Sequence, residues 1–460
     1  MSYNIFFLTI LIKLFFFSTS KVIIPFKIKE YQPEKEKDKF ILNYFYKDLV
    51  IDLSVGTPPQ SITLSACLGE YNTFIVSKNC KNFKGAFNEK DSKSFVAMDK
   101  SDYYTFEVFK NGTKAKDIFI FEDIKIDDFQ FFNALEVDYD NCIDRYNEYL
   151  AQPGILGFLV QPQNNVDMNF SSYNFINQLK RKNLISRYEF YFTFDSDNSG
   201  KIIIGSLPNE TEPENYKDKI LNSFIVSQGK SGLDWAFKFD EIYLGEEKLY
   251  LEYERKSIFR IEFGFIRVTS EMEKYIKKNF FDSLITENKC FRKSVYYSGF
   301  QIYYYYCNKD ADLNNFQPWK FTINDFEMNF TFTKEDLFLD IGDKYLFLMV
   351  FEITATNLIL GYPFFKKYKF IFNQDSKTLG YFTKKSEEIS KDLLKIPVII
   401  PVVYIIIILV LSIVLIGLGI FANVYFYVNK KKKKMAKELT EDNENNPQNK
   451  EGLIPNDENN

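Results

Sequence analysis

The chain is 460 residues long, 46% apolar and 26% charged, with 58 basic and 62 acidic side chains and a net charge of −4. That length fits two or three folding units with a sizeable core, and the near balance of charge argues against a nucleic-acid-binding surface. The sequence holds no histidine, which excludes Ser-His-Asp and Cys-His catalysis and every His-ligated metal site.

Residues 5–17 read IFFLTILIKLFFF and are followed by Ser18-Thr19-Ser20. The run is shorter than the roughly 20 apolar residues of a membrane helix, and it predicts a secretory signal peptide over 1–20. Residues 21–43 follow, rich in Lys and Glu. From 44 to 385, short β-branched and aromatic runs recur at Asp48–Val55, Thr63–Val76, Asp117–Ile126, Tyr188–Phe194, Lys201–Ile204, Trp235–Leu244, Leu358–Leu360 and Lys369–Phe372. Gly, Pro, Asn and Asp punctuate them. The pattern predicts an all-β ectodomain with few helices. Two helices are expected. One spans Ser172–Lys182, capped by Ser171 or Ser172, with Phe175, Ile176 and Leu179 on one face; the other spans Ser270–Phe280.

An internal echo divides this region. Ile155-Leu156-Gly157-Phe158 is matched by Ile359-Leu360-Gly361-Tyr362, and each is preceded by a glycine-containing strand, LSACLGEYN around Gly69 and FRIEFGFIR around Gly264. Two lobes of like design are expected, about 44–205 and 206–385.

A second apolar run is uncharged from Val402 to Ala422. As a helix it rises about 31 Å, close to the hydrocarbon thickness of a bilayer. One transmembrane helix is expected within 396–428, with Lys430–Lys434 on its cytoplasmic side and a polar tail over 429–460. The region before it then lies outside the cell or in a lumen, at the plasma membrane or an endomembrane such as the vacuole. Asn111, Asn169, Asn209 and Asn329 each begin a glycosylation sequon on that side. In an oxidising compartment the five cysteines are expected to pair as Cys290–Cys307, which closes a local loop, and Cys80–Cys142, leaving Cys67 over.

The sequence Val55-Gly-Thr-Pro-Pro-Gln60 resembles the turn that leads into the first catalytic strand of pepsin-like aspartic proteases. Pro153-Gly-Ile-Leu-Gly157, Gly200-Lys-Ile-Ile-Ile-Gly205, Leu358-Ile-Leu-Gly361-Tyr-Pro-Phe-Phe, Tyr368-Lys-Phe-Ile-Phe372 and Leu379-Gly-Tyr381 continue the resemblance in the family's order. It covers about 43 to 383. It implies a bilobal β protein whose cleft receives an extended peptide. Residues 21–43 sit where the family carries an inhibitory propeptide, and Val22-Ile-Ile-Pro-Phe-Lys27 resembles its first strand.

Aspartic proteolysis needs two carboxylates that share a proton and hold a water. The family supplies each in an Asp-Thr/Ser-Gly turn, whose hydroxyls tie the two loops together. Counting from Gln60, the first turn falls on Cys67-Leu68-Gly69. The second is expected at Glu262-Phe263-Gly264, with Glu262 at the aspartate position. Both hydroxyls are then lost, and the residues after the glycines are Glu70 and Phe265. The family's flap tyrosine falls near Phe109 or Lys110. Without a histidine or a cation as activator, Cys67 is expected to be a small buried filler. Glu262 is expected to hydrogen-bond backbone amides or to pair with Arg260 or Arg267. Two ligands are too few for a metal, and no cofactor is implied. The expected function is a membrane-anchored, catalytically inactive pepsin-fold protein that binds a peptide or protein in its cleft. The alternatives are an active aspartic endopeptidase of the secretory or vacuolar pathway that works through Glu262, and a purely structural surface glycoprotein.

Overall fold

Alternation of apolar and polar residues sets the first strand, β1 (Val22–Lys29). Val22, Ile24, Phe26 and Ile28 are buried, and the residues between them are exposed, the period of two that a strand imposes. The computed structural model describes residues 21–29, 42–45, 47–80, 85–101, 109–137, 152–159, 173–216, 220–225, 228–229, 232–251, 256–297, 300–323 and 328–382, all within one unit, and residues 427 and 429–433 of a second. The described residues of the second unit are helical. The expected signal peptide and membrane span lie outside the described residues, among which no helix is long and apolar enough to cross a membrane.

After α1 (Leu42–Phe45), strands β2 (Asp48–Val55) and β3 (Gln60–Cys67) form a hairpin over the 55–60 turn. The run expected to be one strand over 63–76 breaks after Cys67 and resumes as β4 (Phe74–Val76). The run expected over 117–126 also divides, because the chain reverses at 122–123 between strands Phe109–Phe121 and Ile124–Val137. Strand β5 (Gly154–Gly157) lies parallel to β3 and antiparallel to β4. The first helix is α2 (Phe175–Arg181). Its cap is Asn174, whose side chain accepts the N–H of Asn177 at 3.1 Å, and not a serine. Phe175, Ile176 and Leu179 are buried on its inner face as expected. Strands β6 (Glu189–Ser196) and β7 (Ser199–Ile204) complete this half, and the order β6-β7-β1-β2-β3-β5-β4 runs through one large sheet.

The second half repeats the arrangement. Strand β8 (Ala236–Lys238) pairs antiparallel with β9 (Lys256–Phe259), and β10 (Ile266–Thr269) leads into α3 (Ser270–Ile276). Thr269 caps α3, which continues through a wider turn at Lys277–Phe281. Strands β11 (Cys290–Tyr297) and β12 (Phe300–Asn308) form a hairpin that the expected Cys290–Cys307 disulfide closes. Strand β13 (Leu358–Leu360) runs parallel to β9. After α4 (Tyr362–Lys367), β14 (Lys369–Asn373) and β15 (Thr378–Phe382) leave the second-half sheet and join the first, β14 beside β6.

Aromatic rings fill the joint between the halves. Trp235 is fully buried, with its ring edge-on to Phe372 at 5.1 Å, and Phe372 stacks on Phe190 at 5.1 Å. Such contacts add about 0.5–1.5 kcal/mol each beyond area burial. The Trp235 indole N–H donates to the carbonyl of Phe158 at 2.9 Å, and the Gln374 amide donates to the same carbonyl at 3.1 Å.

The N-terminal segment reaches across as well. Phe45 packs edge-on against Phe265 and Tyr304, its carbonyl accepts the N–H of Gly264 at 2.8 Å, and Lys47 N–H donates to Glu262 O at 3.0 Å. A Cβ on Gly264 would lie 2.1 Å from the backbone oxygen of Tyr44. Gly264→Ala should therefore destabilise the fold by roughly 1–3 kcal/mol, read as a lower urea midpoint; an unchanged midpoint would show that this segment does not dock as described.

Candidate active site

Strands β3 and β9 end in the two loops that the sequence singles out, and each runs parallel to a strand carrying Ile-Leu-Gly. Ser65, Ala66 and Cys67 stand beside Ile155, Leu156 and Gly157. Ile258 and Phe259 stand beside Ile359 and Leu360. Arg260 comes next, with its backbone N–H on Leu360 O at 3.1 Å, level with Gly361. On the return, Phe74 faces Ile155 and Arg267 faces Ile359. The carbonyls of Asn72 and Glu70 press on Gly157, and those of Phe265 and Phe263 press on Gly361. The offset is 193 residues at every point: Cys67 to Arg260, Glu70 to Phe263, Asn72 to Phe265, Phe74 to Arg267.

This register corrects the sequence assignment. Arg260, not Glu262, takes the place that answers to Cys67. Ile261 answers to Leu68, and Glu262 answers to Gly69. The two glycines that suggested the other alignment are glycines for different reasons. Gly69 lies against the Arg260 guanidinium, whose carbon would be 3.2 Å from an added Cβ. Gly264 makes room for the Tyr44 carbonyl. The positions where the family places hydroxyls hold Leu68 and Ile261, both fully buried in the same apolar cluster. Hydrogen bonding between the loops is thus replaced by apolar packing, and Phe263 belongs to a separate cluster with Phe45 and Phe265.

The floor of the site is a thiol facing a guanidinium. Arg260 donates through Nη2 to Asp234 Oδ1 at 3.0 Å and through Nη1 to Phe259 O at 3.1 Å; its Nε lies 3.8 Å from Glu262 Oε1. Asp234 is placed by the β8–β9 pairing. Ala236 faces Ile258, so two residues earlier the chain brings Asp234 opposite Arg260. Only 20% of the Arg260 side chain is exposed, against 16% for Asp234 and 13% for Glu262. Burial acts against the guanidinium charge, but Glu262 and Asp234 outweigh it and raise the pKa of Arg260. The group is a permanent cation.

The neighbouring acids are pushed toward their neutral forms. Burial raises the Cys67 thiol far above its ordinary range, Glu262 and Glu70 add to this, and Arg260 offsets only part of it. A thiol held neutral is no nucleophile. Burial also raises Glu262, with Arg260 opposing and Asp48 contributing in the same direction as burial. Glu262 Oε2 is buried without a hydrogen-bond partner among the described residues. Glu70 is 1% exposed. Its Oε1 accepts the N–H groups of Tyr71 and Asn72 at 2.8 and 2.9 Å, its Oε2 has no hydrogen-bond partner among the described residues, and burial pushes the carboxyl up to about 8.

Of the two cations expected near Glu262, Arg260 is there, whereas Arg267 pairs with Glu352 at 2.8 Å. Among the described residues Cys67 and Cys80 form no disulfide; Cys142, the partner expected for Cys80, lies outside them. Among the sequons, Asn329 is exposed and Asn209 is half-buried in a one-turn helix; Asn169 and the side chains of Asn111, Phe109 and Lys110 lie outside the described residues. Among the described residues no three acidic or sulfur ligands gather for a metal. Sequence reasoning passed over Arg260 and Asp234 as floor residues. The signal was the strand pair itself, Ser257-Ile-Phe against Leu358-Ile-Leu, which sets the register without reference to the glycine.

Residues 48–383 match the family model of the eukaryotic aspartyl protease. No curated protein sequence matches the chain.

Two measurements check these electrostatics. A Glu whose folded-state value is raised from 4.5 to about 8 stabilises the fold fully below pH 4.5, and that contribution is lost as pH rises toward 8. Between pH 4 and pH 7 the Glu70 contribution should fall by roughly 3 kcal/mol, and Glu70→Gln should flatten this part of the stability–pH curve. Equal slopes in both proteins would show that Glu70 is not held protonated. Alkylation of Cys67 in the native protein at pH 8 should be roughly tenfold or more slower than after unfolding, scored by mass spectrometry of the labelled peptide.

Proposed function

The chain belongs to the eukaryotic aspartyl protease family, and from that premise we propose that it is a catalytically silent member, which holds an extended peptide or protein segment in its cleft without cutting it. The observation that carries this reading is Arg260 in register with Cys67. Peptide hydrolysis by this fold rests on two acids close enough that only one ionises, leaving the other to donate a proton. A thiol and a guanidinium share no such proton. Neither holds a water as a base, and a fixed cation favours the ionised form of any carboxylate beside it. Glu262 stands next to the pair, but it answers to a glycine of the repeat and its carboxylate lies beside Arg260.

Binding survives this loss because it depends on other features. An extended chain is held by main-chain hydrogen bonds along strands and by side-chain pockets, and the parallel strand pairs with the loops packed on Gly157 and Gly361 support this reading. The reading includes a membrane anchor at 402–422 with the folded region outside the cell or in a lumen; the uncharged run and Lys430–Lys434 support it.

The test is hydrolysis of a denatured protein by the purified chain across pH 3 to 7, beside Glu262→Ala. We expect no cleavage by either. Cleavage by the wild type that vanishes in the variant would make Glu262 the acid of a working protease. Cys67→Asp alone should also stay inactive, because the position that answers to it holds Arg260, a permanent cation that can neither share nor donate the proton the reaction needs. Saturable binding of extended peptides from a library is expected; its absence would leave a structural glycoprotein as the better reading.

A further inference from the structure

Strand β1 is placed unlike the end of a chain. It lies inside the large sheet, with β7 on one side and β2 on the other. Its register with β7 runs from Val22 opposite Ile204 to Lys27 opposite Ser199, and with β2 from Lys27 opposite Val50 to Lys29 opposite Asp48. Val22, Ile24, Phe26 and Ile28 are at most 6% exposed and belong to the main core cluster. The Phe26 ring lies edge-on to Phe192 and Phe194 at 6.3 and 5.6 Å. It also occupies the space above Gly200, where a Cβ would come within 2.5 Å of it. Beyond the sheet, Lys27 pairs with Asp52 at 2.9 Å and Ile28 N–H donates to Asn198 O at 2.9 Å.

Withdrawing this strand would bare four core side chains and two inner strand edges, and unpaired edges in a sheet interior are not tolerated. A replacement would need four apolar residues at alternate positions. The sequence immediately downstream, 30–41, reads EYQPEKEKDKFI. Its odd positions hold Tyr, Pro, Lys, Lys, Lys and Ile, and its even positions Glu, Gln, Glu, Glu, Asp and Phe. Neither set offers four successive apolar side chains. The next segment is already committed, since Phe45 and Lys47 bond to Gly264 and Glu262 of the second loop.

We propose that Val22–Lys29 is a permanent strand of the mature fold and not a removable prosegment: cleavage within 30–41 leaves it bound, and release of the strand neither frees the cleft nor yields a folded remainder. This goes beyond the proposed function and does not depend on whether a peptide binds. It makes the connection 30–41 a place where the chain can be cut without consequence for the site.

The test is a site-specific protease sequence placed within 33–38 of the full chain. After cutting under native conditions, the N-terminal fragment should co-elute with the rest in gel filtration and separate only in denaturant, and its 22–29 amides should stay protected from hydrogen exchange. Loss of the fragment with collapse of the remainder would overturn the claim that the cut strand stays bound. Loss of the fragment with the remainder still folded and monodisperse would overturn it. So would protein isolated from its own cells that is folded and lacks the 22–29 peptide by mass spectrometry.

Discussion

Two glycines, each at the end of a parallel strand pair, set the geometry on which the rest of the molecule depends. Gly157 and Gly361 let the returning loop of each half pass so close that a Cβ would meet a carbonyl oxygen at 2.4 Å in one case and 2.0 Å in the other. No side chain fits there. The loops pinned beneath these points begin at Cys67, the last residue of β3, and at Arg260, the residue just past β9. Whatever stands at those two positions becomes the floor of the site, whether or not it can do chemistry.

What stands there is a neutral thiol and a permanent cation. The substitution is not isolated, because a buried guanidinium needs compensation. Asp234 provides it from the neighbouring strand, and Glu262 stands close by. Leu68 and Ile261 fill the hydroxyl positions with apolar volume. Together these residues form a self-consistent set in which charge is paired within the floor and the loops are held by packing. This floor holds no pair of carboxylates in register. The joint itself, built on Trp235, Phe158 and Phe372, meets the floor through the backbone: Phe158 N–H donates to Cys67 O at 2.9 Å.

Much of this was legible in order. Most strand runs, the Ile-Leu-Gly echo and the Cys290–Cys307 pair follow from local patterning or short separation and appear in the structure, whereas the runs at 63–76, 117–126 and 235–244 are each divided into two strands. Cys67 lies only seven residues past Gln60 of the preceding turn, and so short a spacing keeps its register legible. The second loop offered no such anchor. Its glycine was used as one, and that placed Glu262 where Arg260 belongs.

By itself, then, the sequence determined the fold class, the doubled design and the first floor residue, because period-two burial, turn residues and short spacings act within a few residues of one another. Only the tertiary structure decided the second floor residue. Gly264 is a glycine because the carbonyl of Tyr44, 220 positions earlier, approaches it to within 2.1 Å of where a Cβ would sit. The role of Arg260 depends on which residue of β13 it lies beside and on an Asp234 brought opposite it by β8. The placement of β1 between two strands far apart in sequence is of the same kind. Contacts between segments so distant leave no periodicity in the chain, and their register is set by packing alone.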